Sequence, residues 1–272
     1  MLSYQHAYHA GGPADLHKHA VLAELLALLT RKPRPITVIE SHAGRGLYDL
    51  SAPEAAKTGE AAAGVLRHPP RPSPFAEALA ATRVRHGESA YPGSPLVARH
   101  LLRAQDRLIL CEAHPAEHAA LKRALRGRAE IHRRDGHEGL RALTPPKPRR
   151  GLVLIDPSYE RKDEYAATAE TALATLARWP EAVVAVWYPV LAALRHEGLI
   201  ACLARARLPG FHDARVHFPT AAPGHGMTGS GMACLNLPHG GEAALTRALA
   251  AVGAAVCPVS GPVSGPPARK PL

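Results

Sequence analysis

The stretch GLVLIDPSYE closes four apolar residues, Leu152 to Ile155, with Asp156-Pro157-Ser158-Tyr159. The pattern predicts a buried parallel strand that ends in a carboxylate, a kinked backbone carbonyl and an aromatic ring. Ligands of open α/β sheets bind at that edge. The trio suits a flat base carrying an exocyclic amine. The lone pair of such an amine is delocalised into its ring, which makes it a poor nucleophile. Asp156 and the Pro157 carbonyl can each accept one amine N–H, orienting the nitrogen and localising its lone pair toward an incoming methyl group. Tyr159 would stack on a base flipped out of its helix, and in-line alignment would supply most of the remaining catalysis.

Three earlier strand ends point to the same edge. A short strand over 36–39 ends in Glu40 and runs into Ser41-His42-Ala43-Gly44-Arg45-Gly46. The two glycines let the backbone approach a ligand closely. A second strand, 107–111, ends in Glu112, and a third, near 129–132, runs into Asp135-Gly136. Singly these signals say little: Gly-x-Gly occurs in many loops, and Asp-Gly is a common turn. In series they describe a pocket for a nucleoside-containing cofactor. Gly44 and Gly46 would face its tail, Glu112 its ribose hydroxyls and Asp135 its base amine. A nicotinamide enzyme needs no Asp-Pro-Ser-Tyr tip; an amine methyltransferase does.

These residues need a scaffold of alternating strands and helices, which the rest of the chain predicts. Pro13 opens a first helix whose apolar stripe is Leu22, Leu25, Leu26 and Leu29. Ser94 and Pro95 read as N-cap and first residue of another helix. Further strands are expected at 182–186, near 214–218 and near 232–237. Between the first two strands the chain is too long for one crossover helix. Residues 51–91, with helical patches at 54–66 and 75–84, read as a small helical insertion subdomain. The expected organisation is therefore 1–50 as N-terminal segment and start of the core, 51–91 as insertion, 92–257 as the remaining core, and 258–272 as a disordered Val-Ser-Gly-Pro tail.

Composition narrows the partners. The 272 residues carry 33 Lys and Arg against 23 Asp and Glu, a net charge of +10 that favours a polyanion. Arg31, Lys32, Arg34 and the 99–103 and 123–133 regions are candidates for that contact. Cys111, Cys202, Cys234 and Cys257 are in no CxxC spacing and read as free thiols of a reducing compartment. No signal peptide or membrane span is expected.

Several stretches resemble the bacterial 23S ribosomal RNA adenine-N6 methyltransferases of the J type. They are MLSYQHAYHAGGPADLHKHAVL, SHAGRGLY, YPGSPLVARHLLR, LILCEAHP, RRDG, RRGLVLIDPSYE, VAVWYPV and HGMTGSGMACLNLP. The resemblance runs from Met1 to about Pro238. It implies a class I, Rossmann-like α/β fold that uses S-adenosylmethionine. It implies cofactor contacts at His19, His42, Ser94, Glu112, Asp135, Gly136 and Asp156, with Asp156 as proton acceptor. It also implies contact of Tyr4 with substrate RNA, with His6 and Lys18 nearby. The partner would be 23S ribosomal RNA, free or partly assembled, met by a monomer in the cytoplasm. Ser158 stands where the family has a second proline. Since a proline restrains its predecessor, this change would loosen the Pro157 carbonyl.

Rival readings remain at this stage. On periodicity alone Lys18 is a solvated helix charge. Trp187-Tyr188-Pro189 reads as core packing before it reads as a flank for the base. His6, His9, Asp15, His17 and His19 crowd together but match no zinc pattern, and no metal is expected. DNA adenine, guanine N2, or a silent RNA-binding role are the alternatives in function.

Overall fold

The structure, a computed structural model, describes residues 6–219 and 226–259. A 3-10 turn at His6–Tyr8 leads into α1 (Pro13–Thr30). Strand β1 (Thr37–Glu40) is followed by β2 (Leu47–Asp49), helices α2 (Pro53–Thr58), α3 (Glu60–Ala63) and α4 (Pro74–His86), and β3 (Ala90–Pro92). The chain then alternates through α5 (Ser94–Leu101), β4 (Arg107–Cys111), α6 (Pro115–Leu125), β5 (Glu130–His132), α7 (Gly136–Leu143), β6 (Gly151–Ile155), α8 (Glu164–Arg178) and β7 (Ala182–Leu191). It continues with α9 (His196–Arg205), β8 (His212–His217), β9 (Met227–Leu235), α10 (Gly241–Val252) and β10 (Cys257–Pro258).

The main sheet runs β10-β8-β9-β7-β6-β1-β4-β5. The five strands from β7 to β5 are parallel, whereas β9 is antiparallel to both β7 and β8. From β1 the chain moves outward through β4 and β5, then returns to β1's other side for β6. That reversal opens a crevice at the carboxyl ends of β1, β4 and β6, the general ligand position of such sheets.

Helices cover both faces, so the central strands are buried throughout. Along β6, Leu152 and Leu154 face one core with residues of α1, α4, α5 and α10. Val153 and Ile155 face the other, with residues of α8 and α9. A continuous apolar run is what two covered faces demand, and it makes 151–155 legible as a strand.

Some expectations change. The stripe on α1 understates its burial: 14 of its 18 residues are buried, among them Asp15, His17, Lys18, His19 and Glu24. It is a helix enclosed by α4, α5, α10 and the sheet, so no face is left for a solvated Lys18. The N-cap of α5 is Gly93, not Ser94, because the Ser94 hydroxyl donates to Glu40 Oε2 at 2.7 Å. β7 extends past Val186 to Leu191 because antiparallel β9 continues its ladder. Cys257 and Pro258 pair with β8, so ordered chain reaches into the expected tail; residues 260–272 lie outside the described ones. In the 51–91 region, Gly59 at φ 67° breaks the first helical patch into α2 and α3. β2 and β3, which flank these helices, form a two-stranded ribbon, and Phe75, Ala78 and Leu79 of α4 join the core beneath α1.

The packing of β6 against β1 sets a testable limit. A methyl group on Gly151 would fall onto the Thr37 carbonyl oxygen. Gly151→Ala should therefore lower unfolding free energy by about 3 kcal/mol or more. Gly198, exposed in α9 with open space around its Cα, should gain ~1 kcal/mol as alanine. Urea titrations of the two variants check both signs.

Candidate active site

Two cavities meet at Asp156. The larger, of about 330 Å³, is lined by Gly44, Ser94, Glu112, Asp135, His42 and His19 among others. The smaller, of about 190 Å³, is more apolar and includes Trp187, Pro189, Leu191, Met227 and Tyr159. His6, Lys18, Asp156 and Ser158 line both.

The floor of the larger cavity is built from strand ends. At β1, the Ser41 N–H donates to the Leu154 carbonyl and the Ala43 N–H to the Cys111 carbonyl, which ties the loop to β6 and β4. Gly44 (φ 63°) and Gly46 (φ 77°) then take left-handed turns. A Cβ on Gly44 would lie 2.6 Å from the Tyr48 hydroxyl, so only glycine fits. Glu112, after β4, accepts the Gly44 and His114 N–H groups, each at 2.8 Å. Burial raises its pKa against those two bonds. Asp135 caps α7 by accepting the Glu138 N–H at 3.0 Å. Gly136 follows against the Ser41 carbonyl, where a side chain would collide.

Donors for a cofactor are present here. His19 shares a hydrogen bond of 2.9 Å with the Tyr91 hydroxyl through Nδ1, while its buried Nε2, 3.9 Å from Asp15 Oδ1, has no hydrogen-bond partner among the described residues. Burial pulls its pKa to about 3, so the ring is neutral. His42 is held at about 4, first by burial and then by His137. Glu40, buried behind Ser94, keeps one oxygen, Oε1, without a hydrogen-bond partner among the described residues. Glu112 and Asp135 on adjacent strand ends suit a nucleoside, the glycine cradle suits a close-lying tail, and the His19 ring in the cavity wall offers a buried polar nitrogen. These residues fit S-adenosylmethionine.

Lys18 joins the cavities. Its Nζ lies 2.8 Å from Asp156 Oδ2 and 3.1 Å from Asp15 Oδ1. Asp15 also accepts the Gly11 N–H, and both its oxygens lie 3.0 Å from His6 Nε2. Burial raises the Asp15 pKa, but His6, Lys18 and His19 together outweigh it and hold the carboxyl well below its ordinary value. Lys18 also lies over the Trp187 ring, 5.7 Å from its centroid. No periodic signal in the sequence marks this chain of ions; the available clue is a lysine among the histidines and aspartate that open α1.

Tyr159, expected to stack on the base, lines the smaller cavity; it is buried and its hydroxyl donates to the Trp187 carbonyl at 2.6 Å. Its ring packs on Tyr165 at 4.5 Å between centroids. Its φ of 55°, uncommon outside glycine, turns the chain so that this packing is reached. Tyr159 thus anchors the tip and contributes only wall to the smaller cavity. Pro157 is buried and Ser158 exposed. Trp187 and Pro189 reach the smaller cavity, whereas Tyr188 between them is core. The indole N–H of Trp187 has no partner among the described residues. Tyr4 lies outside those residues.

The N-terminal histidines each meet a different partner. His6 meets Asp15, His9 meets Glu60 at 2.7 Å, His17 meets Ser230 at 2.7 Å and His19 meets Tyr91. The sequence reading missed His137, which lies 2.8 Å from Glu164 and edge-on to His42. His42, His137 and Glu164 form the one group of potential metal ligands among the described residues. The four cysteines are free thiols, two of them buried. No described helix is long and apolar enough to cross a membrane.

A Rossmann-like sheet, a glycine cradle between paired strand-end carboxylates and an acid-proline tip define an S-adenosylmethionine-dependent methyltransferase. The model of the family described as Ribosomal RNA large subunit methyltransferase D, RlmJ, matches residues 33–264, and the chain belongs to that family. It is therefore an S-adenosylmethionine-dependent ribosomal RNA methyltransferase. It is 37% identical over 246 residues to the ribosomal RNA large subunit methyltransferase J of Escherichia coli (strain K12), covering 88% of each chain. The protein of the same name from Haemophilus influenzae (strain Rd) is 34% identical over 247 residues, again covering 88% of each. A crystal structure of a Legionella pneumophila protein superposes with a TM-score of 0.81 at 32% identity, covering 94% of this chain and 98% of that one.

Glu40 gives the site a pH signature. Burial lifts its carboxyl to about 8, while Ser94 and Lys18 pull it down. Between the ordinary value of 4.5 and about 8 the folded protein holds a proton that the unfolded chain has released. The Glu40 contribution to stability is thus full at low pH and is lost as pH rises through that window. Glu40→Gln retains an acceptor for Ser94 and cannot ionise. The variant's stability relative to wild type should climb across this window, by on the order of 1 kcal/mol per pH unit. Denaturant titrations at several pH values check it.

Proposed function

We propose that the chain methylates the N6 amine of one adenine in 23S ribosomal RNA. The observation that carries this reading is the position of Asp156 at the junction of two cavities, one polar and glycine-lined, the other bounded by Trp187, Pro189 and Leu191. When bound in the larger cavity, S-adenosylmethionine supplies an electrophilic methyl group. A purine in the smaller cavity presents its amine at the junction.

The chain's own groups then act on the amine. Asp156 and the Pro157 carbonyl accept its two N–H bonds, which turns the nitrogen lone pair out of conjugation. Lys18 holds Asp156 Oδ2, leaving Oδ1 to face the amine. Asp156 accepts the proton that the nitrogen releases. Tyr159, clamped to Trp187 and Tyr165, holds the tip where a second proline is missing at Ser158. His6 lines both cavities and, with Tyr4, contacts the RNA around the target. His19, His42, Ser94, Glu112, Asp135 and Gly136 hold the cofactor.

The substrate is free or partly assembled 23S RNA, met by a cytoplasmic monomer. The two relatives carry large-subunit ribosomal RNA in their names, which supports this choice over DNA. The test is transfer of a labelled methyl group to unmodified 23S RNA, to duplex DNA and to 23S RNA already methylated at adenine. Only the first should be labelled, with the label recovered as N6-methyladenine. Asp156→Asn should lower the rate ~100-fold or more with cofactor affinity retained. Labelling of guanine or DNA, or full activity in the variant, contradicts the reading.

A further inference from the structure

A second concave surface lies away from both cavities. It has a volume of about 500 Å³ and is formed by the second half of α4, the second half of α5 and Arg128 in the turn between α6 and β5. Its polar lining is Thr82, Arg85, His86, Arg99, His100 and Arg128. Among the described residues no carboxylate lines it. Three guanidiniums and two imidazoles thus share one groove with no acid to neutralise them.

The guanidiniums of the groove carry their charge without an ion pair among the described residues. Arg99 donates to the Leu102 carbonyl at 2.8 Å, and Arg128 Nε to the Leu125 carbonyl at 3.0 Å. Both bonds go to neutral helix-end carbonyls, so they orient the guanidiniums and leave their charge uncompensated. Burial, then Arg85, Arg99 and Arg126, hold the Arg128 pKa below its ordinary value. Burial, then Arg85, Arg126 and Arg128, do the same to His86. Gathering like charges in a concavity disfavours the folded state, and an anion entering the groove removes that cost.

We infer that this groove binds the phosphodiester backbone of the RNA substrate, at a place separate from the target base. Guanidiniums match phosphate oxygens in geometry as well as charge. The groove shares α5 with the active site. Ser94 at that helix's first turn lines the larger cavity and His100 lines the groove, roughly 9 Å further along the axis. One RNA strand reaching the target can therefore lay backbone across α4 and α5. The contact positions the substrate and reads no sequence. This inference rests on RNA being the substrate.

The test is filter binding of in vitro transcribed, unmodified 23S RNA at several potassium chloride concentrations. The proteins are wild type, Arg85→Gln, Arg85→Gln with Arg128→Gln, and Arg149→Gln as a control. Arg149 is exposed, pairs with Glu181 and is not in the groove. Each phosphate contact contributes ~0.7–0.9 to the slope of log affinity against log salt. The single variant should lose about one such increment and the double about two, with affinity at 0.1 M salt reduced about tenfold or more in the double. The control should match wild type. Cofactor affinity and the thermal midpoint should hold in all variants, because the substitutions relieve repulsion. If the double variant loses stability through its Leu125 bond, the single variant carries the comparison. Wild-type RNA affinity and slope in the groove variants overturn the inference while the functional reading stands. Affinity lost with an unchanged slope also overturns it, since the missing contact is then not a phosphate. Failure of wild type itself to bind and methylate the RNA removes the functional reading, and the inference with it.

Discussion

The ammonium of Lys18 sits between two carboxylates, Asp15 on its own helix and Asp156 at the tip of β6. Taking three such charges out of water is costly, and only close, fully paired geometry offsets the desolvation. Here the pairing is complete: Asp15 also takes the Gly11 N–H and faces His6, and the Lys18 charge lies over Trp187. A buried network of this kind adds little net stability. Its consequence is position. It fixes the first turns of α1, and with them His6 and His19, against the strand end that holds the amine.

Enclosure of α1 makes that possible. A helix with a single apolar stripe would leave Lys18 in water, where a surface ion pair contributes ~1 kcal/mol or less and holds nothing firmly. With α4, α5, α10 and the sheet around it, the side chain has one destination. The active site is therefore shared between the N-terminal helix and the sheet, and the two cavities meet where the two are joined. Ser158 tests this arrangement, because the family's second proline is absent. The tip is held instead by burial of Pro157 and by Tyr159, tied to the Trp187 carbonyl.

Whereas Asp135 follows the partly exposed β5 and shows only as an Asp-Gly pair, the other three strand ends were legible from the sequence because Glu40, Glu112 and Asp156 each close a run of buried apolar residues. The glycine loop was legible for the same reason. Burial of polar residues in α1 was not, since pattern rules assign a lysine to solvent, and the partner that overrides them, Asp156, lies 138 residues away. A separation of 54 residues likewise hid the Ser94 bond to Glu40, so a local capping rule won by default. The anchoring of Tyr159 was not legible, because its hydroxyl bond to the Trp187 carbonyl depends on a backbone turn and on a strand 28 residues away. His137 was missed because a histidine one residue past an Asp-Gly turn carries no pattern of its own. The basic groove was visible only as scattered arginines, which α4, α5 and the α6–β5 turn bring together.

The account stands on Lys18 and Asp156 acting as one unit. A double-mutant cycle on the single-turnover rate of RNA methylation measures this, using Lys18→Met, Asp156→Asn and the pair, each saturated with cofactor and RNA. The account predicts strong non-additivity, with the double variant no slower than Asp156→Asn alone. Losses that simply multiply would show that Lys18 and Asp156 work independently, and would contradict it.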